Sequence, residues 1–161
     1  MSIRNPILPG FNPDPSLIRV GADYYLATST FEWFPGVALY HSRDLMNWRP
    51  IGHGLTRASQ IEFRGVGDSA GIWAPSLSYD NGTFYLIYTV VRGRWSNFKD
   101  LHNYLVTASN IEGPWSDPIY LNATGFEPSL FHDTDGRKWF CNIRWDHRKG
   151  KQRFAGNYIQ E

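Results

Sequence analysis

An internal repeat limits the fold of this chain more than any other feature. A Pro-Ser-Leu triplet occurs three times, and each copy is followed by a glycine and then by two adjacent aromatic residues. The three copies lie at residues 15–17, 75–77 and 128–130. Self-similarity at a regular spacing is the sequence signature of repeat architectures, in which each repeat is one supersecondary unit.

Each repeat unit reads as a set of short strands. A second element, a turn that ends in tryptophan, recurs at residues 42–48 and 108–115. Runs rich in aromatic and β-branched residues alternate with turn residues, which predicts strands, and no run shows a convincing helical period. The predicted strands are residues 16–20, 24–30, 37–42 and 47–51 in the first unit, and 77–79, 84–91, 104–108 and a last one near Ile119 in the second. Residues 80–82, Asp-Asn-Gly, predict a hairpin turn.

Four short antiparallel strands per unit are typical of the blades of a β-propeller. Each blade has an apolar face that the next blade covers, and a closed ring takes about four to eight blades. The sequence predicts two complete units and the first two strands of a third. We therefore expect an all-β protein in which residues 1–161 form the N-terminal portion of a single propeller domain, too short to close the ring.

Composition and charge argue against several classes of partner. The formal net charge is +1, from 16 basic and 15 acidic residues, so nucleic acid and anionic membranes are not expected partners, and a basic run at residues 144–153 is expected to be a solvated loop. Cys141 is the only cysteine, and its apolar neighbours favour a buried, inert thiol. Residues 1–10 lack the apolar region of a secretory signal, and the longest mostly apolar run, residues 84–91, is too short to span a membrane. We expect a cytoplasmic protein.

The residue before each Pro-Ser pair is the first candidate for chemistry. These residues are Asp14, Ala74 and Glu127. Because equivalent positions of propeller blades converge on the central axis, two carboxylates from different blades are predicted to face one cavity. Glycoside hydrolysis needs such a pair, one carboxylate to activate water and one carboxylic acid to protonate the leaving oxygen. The alternative is that both residues only hold turns, since an Asp between two prolines also suits a rigid Asx-turn.

Five segments together resemble the β-xylosidases of glycoside hydrolase family 43. They are residues 5–16, 28–36, 71–75, 102–108 and 125–133, and the resemblance runs over essentially the whole chain. It implies a five-bladed propeller and an inverting enzyme that releases terminal xylose from xylo-oligosaccharides or aryl xylosides, often with arabinofuranosidase side activity. The aromatic content of 16% fits such a substrate, because aromatic rings stack on the C–H faces of sugars.

The resemblance also implies roles for individual residues. Asp14 matches the family's general base, and Glu127 matches the carboxylate that orients the substrate and sets the pKa of the acid. Phe31, Trp73 and Trp145 match the aromatic walls of the subsite for the terminal sugar, and a place in the core is the less favoured alternative for each ring. The family pattern has Asp where this chain has Glu127. The family's general acid is a glutamate of a later blade that no residue here matches, so the chain alone is expected to be inactive.

Three hypotheses about function follow. The first is a glycosidase, of which this chain is one part; the second is a non-catalytic sugar-binding protein that keeps Asp14 and the aromatic walls; the third is a partial propeller completed by another chain. The DNA downstream discriminates between them, because a continuation that encodes the remaining blades favours the first. The sequence shows no cluster of metal ligands and we expect no cofactor, whereas a metal in the central channel of the propeller stays open. The choice between xylose and arabinose, and a homo-oligomer of the full-length protein, stay open.

Overall fold

A computed structural model describes residues 4–161, which form eleven β-strands and no helix. The first three residues of the stretch expected to lack a secretory signal lie outside the described residues. The strands make three antiparallel sheets. The first sheet contains β1 (Ser16–Val20), β2 (Asp23–Thr28), β3 (Gly36–Ser42) and β4 (Arg49–Leu55); the second contains β5 (Gly71–Asp80), β6 (Thr83–Gly93), β7 (Asp100–Ala108) and β8 (Ile119–Asn122); the third contains β9 (Gly125–His132), β10 (Lys138–Trp145) and β11 (Phe154–Gln160).

Within each sheet, every strand pairs with the strand that follows it in the chain, so each sheet is a simple meander. The hairpin turn predicted after β5 is present, and Asn81 and Gly82 have φ angles of 45° and 81° there. Positive φ at both central residues is what a type I′ turn requires, and this turn matches the right-handed twist of the flanking strands. The all-β architecture expected from the repeat is confirmed.

The structure corrects three expectations. The third sheet has a third strand, β11, which the sequence did not signal because its residues are almost all exposed and do not alternate. The second sheet's first strand begins at Gly71 rather than Leu77. The earlier residues were not predicted as strand because a proline within the run argues against that assignment. Cys141 is partly rather than fully buried, since successive side chains of β10 alternate and its neighbours Phe140 and Asn142 take the core side.

The core lies mainly between the first and second sheets. Leu39 and Leu55 of the first sheet and Ile72, Leu86 and Tyr88 of the second are fully buried in one hydrophobic cluster. Burying side chains of this size contributes about 1.5–3 kcal/mol each to folding. A second cluster joins the second sheet to Phe126 of the third. The apolar face of one sheet is therefore covered by the next sheet along the chain.

The first strands of the three sheets lie side by side. Strand β5 packs against β1 on one side and β9 on the other. The backbone N–H of Leu77 donates to the Ser16 hydroxyl oxygen at 2.9 Å, which joins β5 to β1. On the other side, His132 Nε2 lies 2.9 Å from the Ser78 hydroxyl, which joins β9 to β5. The three Pro-Ser-Leu copies are thereby brought next to one another.

A β-bulge recurs in these strands. In β5 the pairing register shifts between Trp73 and Ser76, where two residues oppose a single residue of β6. Strand β9 has the same two-against-one arrangement between Phe126 and Ser129. Proline has no backbone N–H, and a bulge removes the need for one at that point of the ladder.

The first sheet shows the same irregularity just before β1. Ser16 pairs with Ala27, and the next link is a hydrogen bond from the Ser29 N–H to the Pro13 carbonyl at 3.0 Å. Two residues again oppose one. Bulges bend a strand and change the direction of the side chain they carry, so all three units turn the residue before Pro-Ser out of the regular ladder.

Candidate functional site

The three bulges open onto one pocket. Asp14, Ala74 and Glu127 line it together with the prolines that follow them and with Ser16 and Ser76. The pocket has a volume of about 290 Å³ and is open to solvent. Asp14 and Glu127 come from different sheets and are both exposed. The structure therefore brings together the two carboxylates that the repeat singles out.

The backbone is strained at both carboxylates. Asp14 has a φ of 53° and Glu127 a φ of 57°, in the left-handed region that non-glycine residues avoid. The following proline restricts each residue further. A conformation of this kind costs about 1–3 kcal/mol and is typical of functional sites. Ala74 is not among the described residues with positive φ, so the strain coincides with the carboxylates rather than with the repeat.

The two carboxyl groups have different surroundings. Partial desolvation against the pocket wall raises the pKa of Glu127, and the negative charge of Asp14 raises it further. Asp14 instead accepts a hydrogen bond from the Ser29 hydroxyl, with 2.5 Å between Ser29 Oγ and Asp14 Oδ2. The two carboxyl groups of the pocket therefore differ in what they contact.

Two of the predicted aromatic walls lie beside Glu127. Trp73 and Trp145 both pack on Phe126, with ring centroids 5.4 Å and 5.8 Å away. The Lys99 ammonium lies 5.7 Å from the centre of the Trp73 ring and 5.1 Å from that of Trp145. Burial lowers the pKa of Lys99. Both indole rings are only partly buried, so they form a half-open aromatic surface with a cation at its edge.

The third ring, Phe31, is connected to Trp73 through the backbone. Phe31 and Ile72 exchange backbone hydrogen bonds of 3.0 Å and 2.8 Å. Glu32 accepts a hydrogen bond from the Ser69 N–H at 3.0 Å, and the Trp73 indole N–H donates to the Ser69 carbonyl at 3.1 Å. The Phe31 and Trp73 segments therefore form one unit. None of the three rings lines the carboxylate pocket itself, and their role in holding a sugar stays a prediction.

Sequence reasoning missed three polar residues of this region. Ser29 is 1% exposed, and a hydroxyl at a buried position just after a strand was the available signal. Glu32 and Lys99 gave no signal, because their contacts are made by loops. The basic run at residues 144–153 is mostly an exposed loop after the end of β10, with Arg148 paired to Asp146 at 2.5 Å.

Other parts of the described chain offer less to a reaction. Across residues 4–161, no group of three or more His, Cys, Asp or Glu side chains is placed to hold a metal ion. A larger cavity, about 980 Å³, lies against the first sheet and is lined mainly by apolar residues such as Leu17, Leu26 and Trp48. In the same part of the chain, no helix has the length and apolar character needed to cross a membrane.

Consecutive antiparallel sheets whose bulges present carboxylates to one pocket are features of the β-propeller glycoside hydrolases. The chain belongs to glycoside hydrolase family 43, because the family model described as "Glycosyl hydrolases family 43" matches residues 3–161. Its three sheets are accordingly part of a five-bladed propeller.

Relatives with similar sequences carry related names. The chain is 63% identical over 159 residues to "Xylosidase/arabinosidase 43B" of Humicola insolens. The matched region covers 99% of this chain and 30% of the relative. It is 57% identical to "Beta-xylosidase" of Bacillus subtilis (strain 168), over 100% of this chain and 30% of that protein. The chain therefore spans about 30% of the length of these relatives.

A solved structure gives the same picture. The xylan β-1,4-xylosidase from Bacillus halodurans C-125 superposes with a TM-score of 0.96 at 67% identity, over 99% of this chain and 30% of that one. The arrangement of the three sheets is thus that of the corresponding part of a family 43 enzyme.

Proposed function

We propose that this chain supplies the general base and part of the sugar-binding surface of a glycosidase that releases terminal xylose, or arabinose, from xylo-oligosaccharides. The observation that carries the proposal is that Asp14 and Glu127, on separate sheets, line one pocket and have contrasting surroundings. The names of the relatives, a xylosidase/arabinosidase and a β-xylosidase, support the class of sugar.

In the proposed mechanism Asp14 deprotonates the attacking water. Its carboxylate faces the pocket and accepts a hydrogen bond that favours the charged form. Water activated in this way attacks the anomeric carbon from the face opposite the leaving oxygen, so the configuration inverts. The leaving oxygen takes its proton from a general acid that we place outside residues 1–161. Ionised Glu127 orients the sugar and raises the pKa of that acid through its negative charge.

Phe31, Trp73 and Trp145 are proposed to hold the terminal sugar. Trp73 and Trp145 are partly buried and supported by Phe126, so part of each side chain stays accessible to a sugar. The backbone links between Phe31 and the Trp73 strand fix the spacing of these walls. Cytoplasmic localisation, and the expectation that neither nucleic acid nor a membrane is a partner, stay predictions.

A chimaera tests the proposal. We define the chimaera as residues 3–161 of this chain joined to the remaining part of the Bacillus halodurans relative, which supplies the other blades. It is expected to hydrolyse p-nitrophenyl β-xyloside and to release α-xylose first, as seen by proton NMR. Asp14→Ala should reduce turnover by about 10²–10⁴-fold, the usual contribution of a general base. Turnover that survives the substitution contradicts the proposal, and sugar binding without any turnover supports the non-catalytic alternative.

A further inference from the structure

Ser29, Thr89 and Ile143 occupy equivalent positions in the three sheets, each linked to the residue that precedes a bulge. Their side chains differ in what they can offer. The Ser29 hydroxyl donates to Asp14 Oδ2 at 2.5 Å. The Thr89 hydroxyl donates instead to Asn103 Oδ1 at 2.7 Å, and isoleucine has no donor. In the described chain, only the first sheet combines a hydroxyl at this position with a carboxylate on the bulge.

Ser29 also fixes the backbone that carries Asp14. The Ser29 N–H donates to the Pro13 carbonyl at 3.0 Å. The same segment is held one residue earlier, where the Tyr40 hydroxyl donates to Asn12 Oδ1 at 2.6 Å. Ser29 is 1% exposed, while Asp14 is exposed to the pocket. A buried residue therefore holds one carboxylate oxygen and the preceding peptide, and the second carboxylate oxygen is left for a ligand of the pocket.

We propose that Ser29 is the positioning residue for Asp14, and that its hydroxyl decides which of the two carboxylates acts as the base. The inference rests on the proposed function. A hydrogen bond to the charged form keeps a carboxylate ionised. Glu127 receives no such bond from the residues described, and burial and the charge of Asp14 raise its pKa. The bond also restrains rotation of the Asp14 side chain, so the same oxygen always faces the attacking water.

Variants of the chimaera test this role. Ser29→Ala is expected to lower kcat/KM by about tenfold to hundredfold, the cost of a misplaced catalytic group, with most of the loss in kcat. KM should change little, because Ser29 is buried and does not line the pocket. Ser29→Thr should restore kcat, because threonine keeps the hydroxyl and already occupies the equivalent position in the second sheet.

Ser42 provides a matched control. It is also buried, at 2% exposed, and its hydroxyl also donates to a carboxylate, Asp44 Oδ1, at 3.0 Å. That carboxylate does not line the pocket. Ser42→Ala should therefore leave both kcat and KM of the chimaera unchanged. An equal loss from Ser42→Ala, or a loss in Ser29→Ala that falls on KM rather than on kcat, overturns the inference.

A second measurement covers the case in which Ser29→Ala folds poorly. Ser29→Cys keeps nearly the same volume and replaces a good donor by a weak one. Carbon-13 NMR of the aspartate carboxyls in the chimaera at neutral pH should show a changed chemical shift of the Asp14 carboxyl in this variant, because that carbon senses the hydrogen bond from Ser29. An unchanged chemical shift overturns the inference. This readout does not depend on turnover. A chimaera with Ser29 intact but no Asp14-dependent turnover contradicts the proposed function alone, and the chemical shift still decides the role of Ser29.

Discussion

Glu127 and Asp14 share one pocket although they belong to the third and the first sheet, with the second sheet between them. The negative charge of Asp14 adds to the effect of burial in raising the pKa of Glu127. The substitution Asp14→Asn removes the negative charge at position 14 and leaves the burial of Glu127 unchanged. The Glu127 carboxyl of the chimaera should then titrate at lower pH, though still above the usual range, by carbon-13 NMR. Asp23→Asn is the control, because Asp23 pairs with His41 and Arg43 outside the pocket. If the Glu127 carboxyl titrates at the same pH with and without Asp14→Asn, the two carboxylates are not coupled.

The isolated chain is expected to be inactive. It should hydrolyse p-nitrophenyl β-xyloside no faster than its own Asp14→Ala variant, since a missing general acid alone costs about 10²–10⁴ in rate. Leu17 on the first sheet and Phe131 and Ile159 on the third are 52%, 62% and 63% exposed, so we also expect self-association, measurable by light scattering. Asp14-dependent turnover by the isolated chain would mean that the acid lies within it, with Glu127 as the first candidate.

Gly125 is predicted to tolerate no side chain. A Cβ at this position would lie 1.7 Å from the backbone oxygen of Ile143 on the neighbouring strand, and a backbone atom cannot move aside as a side chain can. Gly125→Ala should lower the free energy of unfolding by at least about 1–3 kcal/mol, the usual cost of overpacking, as measured by urea denaturation of the chimaera. Gly67→Ala is the control, because a Cβ there meets nothing within 4 Å. Equal stability of the two variants would contradict the tight β9–β10 contact.

Tyr88 ties the second sheet to a loop of the first. Its hydroxyl is fully buried and donates to the Gln60 carbonyl at 2.6 Å. Tyr88→Phe leaves that carbonyl unpaired and should cost about 1–3 kcal/mol of unfolding free energy, whereas Tyr79→Phe, at an exposed site, should cost little.

The same hydroxyl gives a pH dependence. Burial raises the pKa of Tyr88, so the folded state keeps its proton at pH values where the unfolded chain loses it. Stability from this group is therefore complete below about pH 10, the usual value for tyrosine, and falls as the pH rises above it. The difference in the free energy of unfolding between the parent protein and Tyr88→Phe, measured by urea denaturation, should therefore become smaller above that pH. A constant difference up to pH 11 would contradict the assignment.

The repeat was enough to predict the two four-stranded antiparallel sheets and the first two strands of the third sheet. Local patterns carry this information, because alternation, turn residues and the Asp80-Asn81-Gly82 signal act over a few residues. Strand β11 was not predicted, because backbone hydrogen bonds to β10 hold it in place rather than burial of its own side chains, and such bonds leave no hydrophobic pattern in the sequence.

The candidate site was predictable in part. The position before Pro-Ser pointed to Asp14 and Glu127, and the sheets do bring both to one pocket. The bulges and the positive φ angles there were not predictable, since they arise from pairing with strands distant in sequence. The bond from Ser29 to Asp14 depends on the same long-range pairing, and no local pattern encodes it.

The two carboxylates belong to different sheets rather than to one loop, and the second sheet packs between those two sheets, so their separation depends on how all three sheets pack together. Leu86 of the second sheet lies against Gly54 of the first, where a Cβ on the glycine would meet the leucine methyl at 2.4 Å. A larger residue at position 54 cannot fit unless Leu86 moves, so we expect such a substitution to change the packing of the first sheet on the second and, with it, the distance between Asp14 and Glu127. A glutamate at position 127, one methylene longer than an aspartate, changes that distance without any change in the packing of the sheets.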